Sequence, residues 1–405
     1  MGYKFNFKYL CNKITEVLAA LLVITTSIHA ASADLYLPRE STTSVPIPIL
    51  TPITLQLKWR HKFQFAGYYA AIEKGFYRQA GFEVTLKEAG PKIHPIDEVL
   101  SGRAHFGIGN SELMLYYLQG EPITALAAII QHSPVVLMTL KENNILSPQD
   151  LIGKKVMYPE GFYGANTLGI LLKEGIQESQ IKSVPLSFDI NDLINRKVDA
   201  MVGYVTDQPF MLAEKNIEYN LIDPRTYGIN FYGDTLFAHQ QYVENNPETV
   251  TQFRAATLEG WRYAIEHSSE IIDLILKDYP TLKTRQQLEY EAQQTIALIV
   301  PKLVDLGHMN PGRWRYIAET FTSLDMAKGR FESDGFLYAP EKEKAYQLLQ
   351  SVFQVAAFIL LLTGLSIGIL FYFNKQLKRS VAEKTMYLTK VNRELIVYTK
   401  QLKQK

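Results

Sequence analysis

With 405 residues, 47% of them hydrophobic, the chain has apolar material for more than one core, which excludes disorder as its main state. Its 42 Lys and Arg balance 41 Asp and Glu, so no global charge draws it to nucleic acid, and no nucleic-acid partner is expected. The single cysteine, Cys11, lies near the amino end and excludes a disulfide framework, a cysteine zinc site and thiol catalysis in the body of the chain.

In chain order, Lys4, Lys8 and Lys13 precede an apolar run at about 17–24, and Ala31-Ser32-Ala33 supplies the small residues a signal peptidase requires. Residues 1–33 are expected to be a secretory signal, with an uncleaved anchor as the alternative, and 34–52 a linker. Strand-like and helix-like runs then alternate. Residues 54–59 have period two and 67–79 helical apolar spacing. Further strands are expected at 83–87 and 104–108, with helices at 96–100 and 112–118, and two apolar runs, 123–130 and 135–140, follow. After the polar stretch 141–150 the order restarts, with strands at 155–158, 184–188 and 200–204 and helices at 165–174, 189–196 and 207–215. Helices at 248–267, 285–300 and 312–328 follow and are expected to pack back on the first unit. This β-α-β-α order predicts an α/β architecture of two doubly wound sheets joined by a hinge. The first lobe is expected at 53–138 and 233–345, the second at 139–232. Their strand ends should face each other across a cleft.

Residues 352–373 carry no charge, and at 1.5 Å per residue they reach about 33 Å, the thickness of a bilayer's hydrocarbon core. They are expected to be a single transmembrane helix. Lys375, Lys378 and Arg379 follow it and mark the cytoplasmic side, which puts the preceding domain in the periplasm or exterior. In the tail 374–405, Leu377, Val381, Lys384, Leu388, Val391, Leu395, Tyr398 and Leu402 recur at spacings of four and three. The expectation is a coiled coil that pairs two copies, with an amphipathic helix on the inner leaflet as the alternative. The sequence runs to Lys405 without an output domain, so a separate signalling or permease partner is expected.

Leu55-Gln56-Leu57-Lys58-Trp59, then Phe65-Ala66-Gly67-Tyr68-Tyr69-Ala70-Ala71 and Lys74-Gly75-Phe76-Tyr77, resemble the opening of the SsuA/THI5-like (NMT1) family of type-2 periplasmic binding proteins. Leu100-Ser101-Gly102-Arg103-Ala104-His105-Phe106-Gly107 and Asn245-Asn246-Pro247-Glu248-Thr249-Val250 extend the resemblance, which covers about 53–337. His308-Met309-Asn310-Pro311-Gly312-Arg313-Trp314 and Tyr227-Gly228-Ile229-Asn230-Phe231-Tyr232-Gly233-Asp234 are similar to the version found as the periplasmic region of membrane sensors. The resemblance implies a two-lobed type-2 fold that reads a small molecule. One branch of the family makes the thiamine pyrimidine with pyridoxal phosphate on a lysine, a histidine and an iron-binding cysteine cluster. Here Gly107-Ile108-Gly109-Asn110-Ser111-Glu112-Leu113 has neither lysine nor histidine at the matching place, and no cysteine follows Cys11. No catalytic residue, metal or cofactor is therefore expected. A tethered importer component and a synthase-like enzyme remain the alternatives.

Several residues are candidates for ligand contact. Trp59 offers a rigid face for stacking a heterocycle, and Tyr69 stands near a helix start. Asn110 and Ser111 lie between a strand and a helix, where capping is the plainer role. Glu160, Gly161, Tyr163 and Gly164 form a glycine-bearing turn whose spacing matches no nucleotide motif. Tyr204 and Asp207 repeat that position after a later strand, and Tyr232 and Asp234 lie where the chain should return to the first lobe. A carboxylate there would accept from an amine, or else cap a helix or bridge the hinge. His132, at the first crossing, is expected to be a structural hydrogen-bonder.

Overall fold

A computed structural model describes residues 50–90 and 93–402. The expected signal at 1–33 and almost all of the linker lie outside the described residues. The strands in chain order are β1 (Thr51–Gln56), β2 (Phe82–Lys87), β3 (Phe106–Gly109), β4 (Ile123–Ala128), β5 (Val135–Leu140), β6 (Lys155–Tyr158), β7 (Lys182–Pro185), β8 (Ala200–Tyr204), β9 (Tyr219–Ile222) and β10 (Thr235–His239). They form two sheets, ordered β2-β1-β3-β10-β4 and β7-β6-β8-β5-β9. Each sheet is parallel except for one reversed strand, β10 in the first and β5 in the second. The reversed strand is in each case the one the chain enters on crossing from the other lobe. β4 and β5 are buried at all six positions, as strands covered on both faces must be, which is why they read as continuous apolar runs.

The two crossing segments, 129–134 and 223–234, lie side by side. Gly233 N–H donates to Ile130 O at 2.9 Å, Ser133 N–H to Phe231 O at 3.0 Å and Ile129 N–H to Asp234 O at 2.8 Å. His132 Nδ1 lies 2.7 Å from Asn230 Oδ1, so this histidine bridges the two crossings. Because β5 pairs with β8 and β9, the first lobe ends before Pro134 and not at 138. The two apolar runs flanking 131–134 look alike in sequence, and β5's partners come only some sixty residues later.

The expected single helix at 67–79 is two, Ala66–Glu73 and Phe76–Gln79, parted at Gly75, whose φ of 74° places it in the left-handed region. An unexpected helix, Ser268–Asp278, follows Pro247–Glu266 and precedes Arg285–Ile299. Ala66–Glu73 packs on Pro247–Glu266 so closely that a Cβ on Gly260 would sit 2.2 Å from the Gly67 carbonyl oxygen. A Cβ on Gly67 would lie 2.1 Å from the buried Trp261 ring. A backbone oxygen cannot rotate away, so Gly260→Ala should cost about 1–3 kcal/mol. Urea unfolding of the two proteins side by side measures this; an unshifted midpoint would contradict the packing.

Leu337 forms a parallel bridge with Ala125 of β4, and Tyr338 N–H donates to Ala125 O at 2.9 Å. The helix Pro340–Leu402 starts directly afterwards. Among the described residues it is the one helix long and apolar enough to cross a membrane, and its apolar window is wholly exposed. The expected span 352–373 falls within it.

Candidate functional site

A cavity of about 1630 Å³ lies between the carboxyl ends of β1, β2 and β3 and those of β6, β7 and β8. This is the crevice where open α/β sheets gather their ligands. The segment Pro280–Lys283, between two late helices, closes one side.

The loop after β1 builds the inner wall. Leu57 N–H still bonds Lys87 O at 2.8 Å, and the chain then turns out of the sheet. The strand thus ends at Gln56, three residues earlier than its alternation suggests, so Lys58 and Trp59 stand beyond it. Lys58 Nζ lies 2.6 Å from Asp234 Oδ1 and also donates to Asn110 Oδ1. Gln64 Nε2 is 2.9 Å from both Asp234 oxygens, and Asp234 is 0% exposed. Lys62 faces Glu291 of Arg285–Ile299 at 3.5 Å, and Phe63 N–H donates to the other Glu291 oxygen at 3.1 Å. Lys283 pairs with Asp207 of the opposite lobe.

Charge follows from these partners. Burial alone would push the Lys58 ammonium down, but Asp234, Tyr204 and Glu112 outweigh it and hold it above the usual lysine range. Lys62 is likewise raised, with burial opposed chiefly by Glu291 and Asp207. Burial would raise Asp207, yet Lys62 and Lys283 bring its carboxyl below the usual range. Glu112 goes the other way: burial pushes it up, and Lys58 and the Asn110 N–H only partly oppose this. Burial also lowers His61, against Glu88, which favours its neutral ring.

The lobes touch across the mouth. The Tyr204 ring lies 5.2 Å from Lys58 Nζ and 5.4 Å from Lys62 Nζ. Trp59 and Phe188 meet with ring centroids 4.5 Å apart, and His94 stacks on Tyr163 at 4.7 Å. A ring held between two others needs roughly 7 Å between the outer pair, so Trp59 and Phe188 cap the cavity and do not stand open as a sandwich. Phe188, expected in a strand, sits beyond β7 at φ 63°, a strained position for a side chain of its size.

Of the candidate residues, Trp59, Asn110, Glu160, Gly161, Tyr163, Tyr204 and Asp207 line this cavity. Asp234 lies directly behind the wall, reached through Lys58 and Gln64. The other four stand away from it. Tyr69 is fully buried, 3.0 Å from His61 Nδ1 and packed on Tyr279 at 4.2 Å, because the helix turns its face into the late helices. Ser111 Oγ donates to Tyr232 O at 3.0 Å. Gly164 is a close-packing glycine: a Cβ there would lie 2.2 Å from Pro159 O. Tyr232 accepts the Asn310 N–H at 2.9 Å, with the Arg313 guanidinium 4.1 Å from its ring centroid. Arg313 also donates to Asn230 and Phe231, so the motifs at 227–234 and 308–314 brace each other behind the return crossing.

Lys58, Lys62, Gln64, Glu112, Phe188 and Lys283 were not among the candidates. Lys58 adjoins Trp59 in the opening motif, Lys62 closes the basic run after it and Glu112 directly follows Asn110-Ser111; Gln64, Phe188 and Lys283 carry no local signal.

Comparison with known proteins agrees with this architecture. Residues 62–271 match the family model described as NMT1/THI5 like. The chain is similar to a formylaminopyrimidine-binding protein of Halalkalibacterium halodurans, 22% identical over 261 residues, which cover 63% of this chain and 78% of that protein. It is also similar to the riboflavin-binding protein RibY of Chloroflexus aurantiacus, 26% identical over 278 residues, 65% of this chain and 78% of the relative. Other relatives are named 4-amino-5-hydroxymethyl-2-methylpyrimidine phosphate synthase. A periplasmic sulfonate-binding protein SsuA from Methylobacillus flagellatus KT superposes with a TM-score of 0.52 at 16% identity, over 75% of this chain and 96% of that one. The fold is that of the two-lobed periplasmic binding proteins.

Proposed function

The chain belongs to the NMT1/THI5-like family, and on that premise we propose that its cleft takes up and releases, chemically unchanged, a small polar heteroaromatic or amine-bearing solute of the pyrimidine or riboflavin kind. The observation that carries this reading is the pairing of Trp59 with Phe188 across the cavity mouth, one ring from each lobe, over a wall of buried ion pairs. Such a cavity encloses an aromatic solute by closing over it, and the solute stabilises the closed arrangement by as much as it prefers it. A binding role without catalysis is supported by the state of the lysines. Lys58 and Lys62 are held as ammonium ions by carboxylates, whereas a Schiff-base lysine must shed its proton.

In this reading the helix Pro340–Leu402 anchors the domain to a membrane, with the binding lobes outside. The bridge between Leu337 and Ala125 ties the start of that helix to the sheet whose strand ends line the cleft, which gives closure a short route to the membrane segment. Titration calorimetry of the detergent-solubilised full chain against aminopyrimidines, riboflavin and alkanesulfonates tests the proposal. One-to-one binding of a heterocycle is expected, and the absence of heat with every heterocycle would overturn it.

A further inference from the structure

We infer that a second copy of this chain covers the apolar seam of the tail, the two helices pairing in parallel and in register from Leu370 to Leu395, with the two Asn374 side chains facing each other where the helix leaves the membrane. The inference rests on the helix being a membrane anchor and adds its partner. Its basis is the form of the helix. Pro340–Leu402 is continuous, and no glycine or proline follows Gly368 within it. It therefore has no residue of the kind that kinks a helix at the point where the apolar span ends. A tail lying on the inner leaflet would need a sharp turn there. A continuous helix instead carries residues 374–402 straight out into water, for about 43 Å at 1.5 Å per residue.

The helix takes a line of apolar side chains with it. Leu377, Val381, Leu388 and Leu395 are exposed, and Val391 continues their line. Their spacing alternates between four and three, a mean of about 3.5 against the 3.6 of a straight helix, so the line stays on one face only where the helix coils around another of the same repeat. The register runs back without a break: Asn374 and Leu370 precede Leu377 at spacings of three and four. Asparagine at such a position meets its own counterpart on an in-register partner, and it specifies two strands at some cost in stability.

The charges agree with a second copy as the occupant. Lys375, Arg379, Glu383, Lys390 and Arg393 take outward positions of the repeat. Between 380 and 392 the positions flanking the seam are Ser380, Thr385, Tyr387 and Asn392, so identical flanks meet there without like-charge repulsion. Insertion in the membrane sets every copy in the same direction, with Asn374 at the same depth, so copies meet parallel and level. One seam residue opposes the pairing. Lys384 sets two ammonium groups against each other, and its removal should tighten the pair.

Oxidative crosslinking of the full chain in its membrane tests this, with Cys11→Ser as the background because Cys11 is the one cysteine of the sequence. A single cysteine replaces in turn Val381, Leu388 and Val391 on the seam, and Ala382, Met386 and Ile396 on the outer face. Two differently tagged versions of each are expressed together. Seam cysteines should join the two tags at least about fivefold faster than outer ones, because a disulfide needs its β-carbons close. Met386 and Ile396 are apolar yet outward, so this contrast separates a coil from unspecific apolar contact. With the cysteine at 381, Lys384→Leu should raise the joined fraction and Leu388→Glu should abolish it. Equal rates at all six positions, an unmoved fraction in both variants, or a crosslink to a different protein in place of the second tag overturns the inference and leaves the anchor standing. Release of the chain from the membrane by alkaline carbonate overturns the anchor with it. Three seam positions keep the test decisive even if one substitution lowers expression.

Discussion

Asp234→Ala should lower the thermal midpoint of the binding domain by on the order of 10 °C. Asp234 is fully buried at the start of β10, 2.6 Å from the Lys58 ammonium and within hydrogen-bond reach of the Gln64 amide. Its loss strands a buried cation and a buried donor, and breaking one side of such a pair costs about 3–5 kcal/mol. The double replacement Lys58→Met with Asp234→Leu should recover much of the loss, since it removes both charges together. Because the folded state raises the Lys58 pKa, the pair's contribution is complete below the ordinary lysine value of about 10.4 and fades only as pH rises through the higher folded value. The Asp234→Ala deficit should therefore be flat between about pH 6 and 9. Calorimetric scans over that range read it, and an unmoved midpoint would mean that the ion pair does not hold β1, β3 and β10 together.

Trp59→Ala and Phe188→Gly should each weaken solute binding, the first by about 10- to 100-fold and the second by about tenfold. The two rings cap the cavity at 4.5 Å from opposite lobes. They differ in what else they do. Trp59 packs on the first-lobe core, so its removal also costs some stability. Phe188 is 44% exposed at a positive φ, where glycine is the less strained residue, so Phe188→Gly should unfold no earlier than wild type. Weaker binding with undiminished stability is the signature of a closing contact. Unchanged affinity in both variants would remove the mouth of the cleft from the account.

The elements legible in the sequence were those whose burial is decided locally. β8 at Ala200–Tyr204 is one apolar run bounded by turns, and its expected and observed limits coincide. The late helices at Pro247–Glu266 and Arg285–Ile299 open on a first-turn proline and a Thr284 cap, and each lies within a residue of its expected bounds. What escaped depends on partners far along the chain. Gln64 and Asp234 stand 170 residues apart, and nothing near Lys58 distinguishes a buried ion pair from the outward lysine of an alternating strand. Tyr69's place near a helix start points it to the cleft, but which way that helix faces is settled by Gly67 meeting Trp261 and Tyr69 meeting Tyr279. The two motifs at 227–234 and 308–314 were visible as separate signals. Their shared role lies in the contact of Arg313 with Tyr232, 78 or more residues apart in sequence.

The central claim is that a solute enters this cleft and leaves it unaltered. Equilibrium dialysis of the full chain against a mixture of aminopyrimidines and flavins, with the retained compound released and weighed by mass spectrometry, tests it most directly. The account predicts near-stoichiometric retention of one heterocycle, recovered at its original mass and largely lost from Trp59→Ala. A heterocycle converted to a new mass, or none retained above the buffer level, would contradict it.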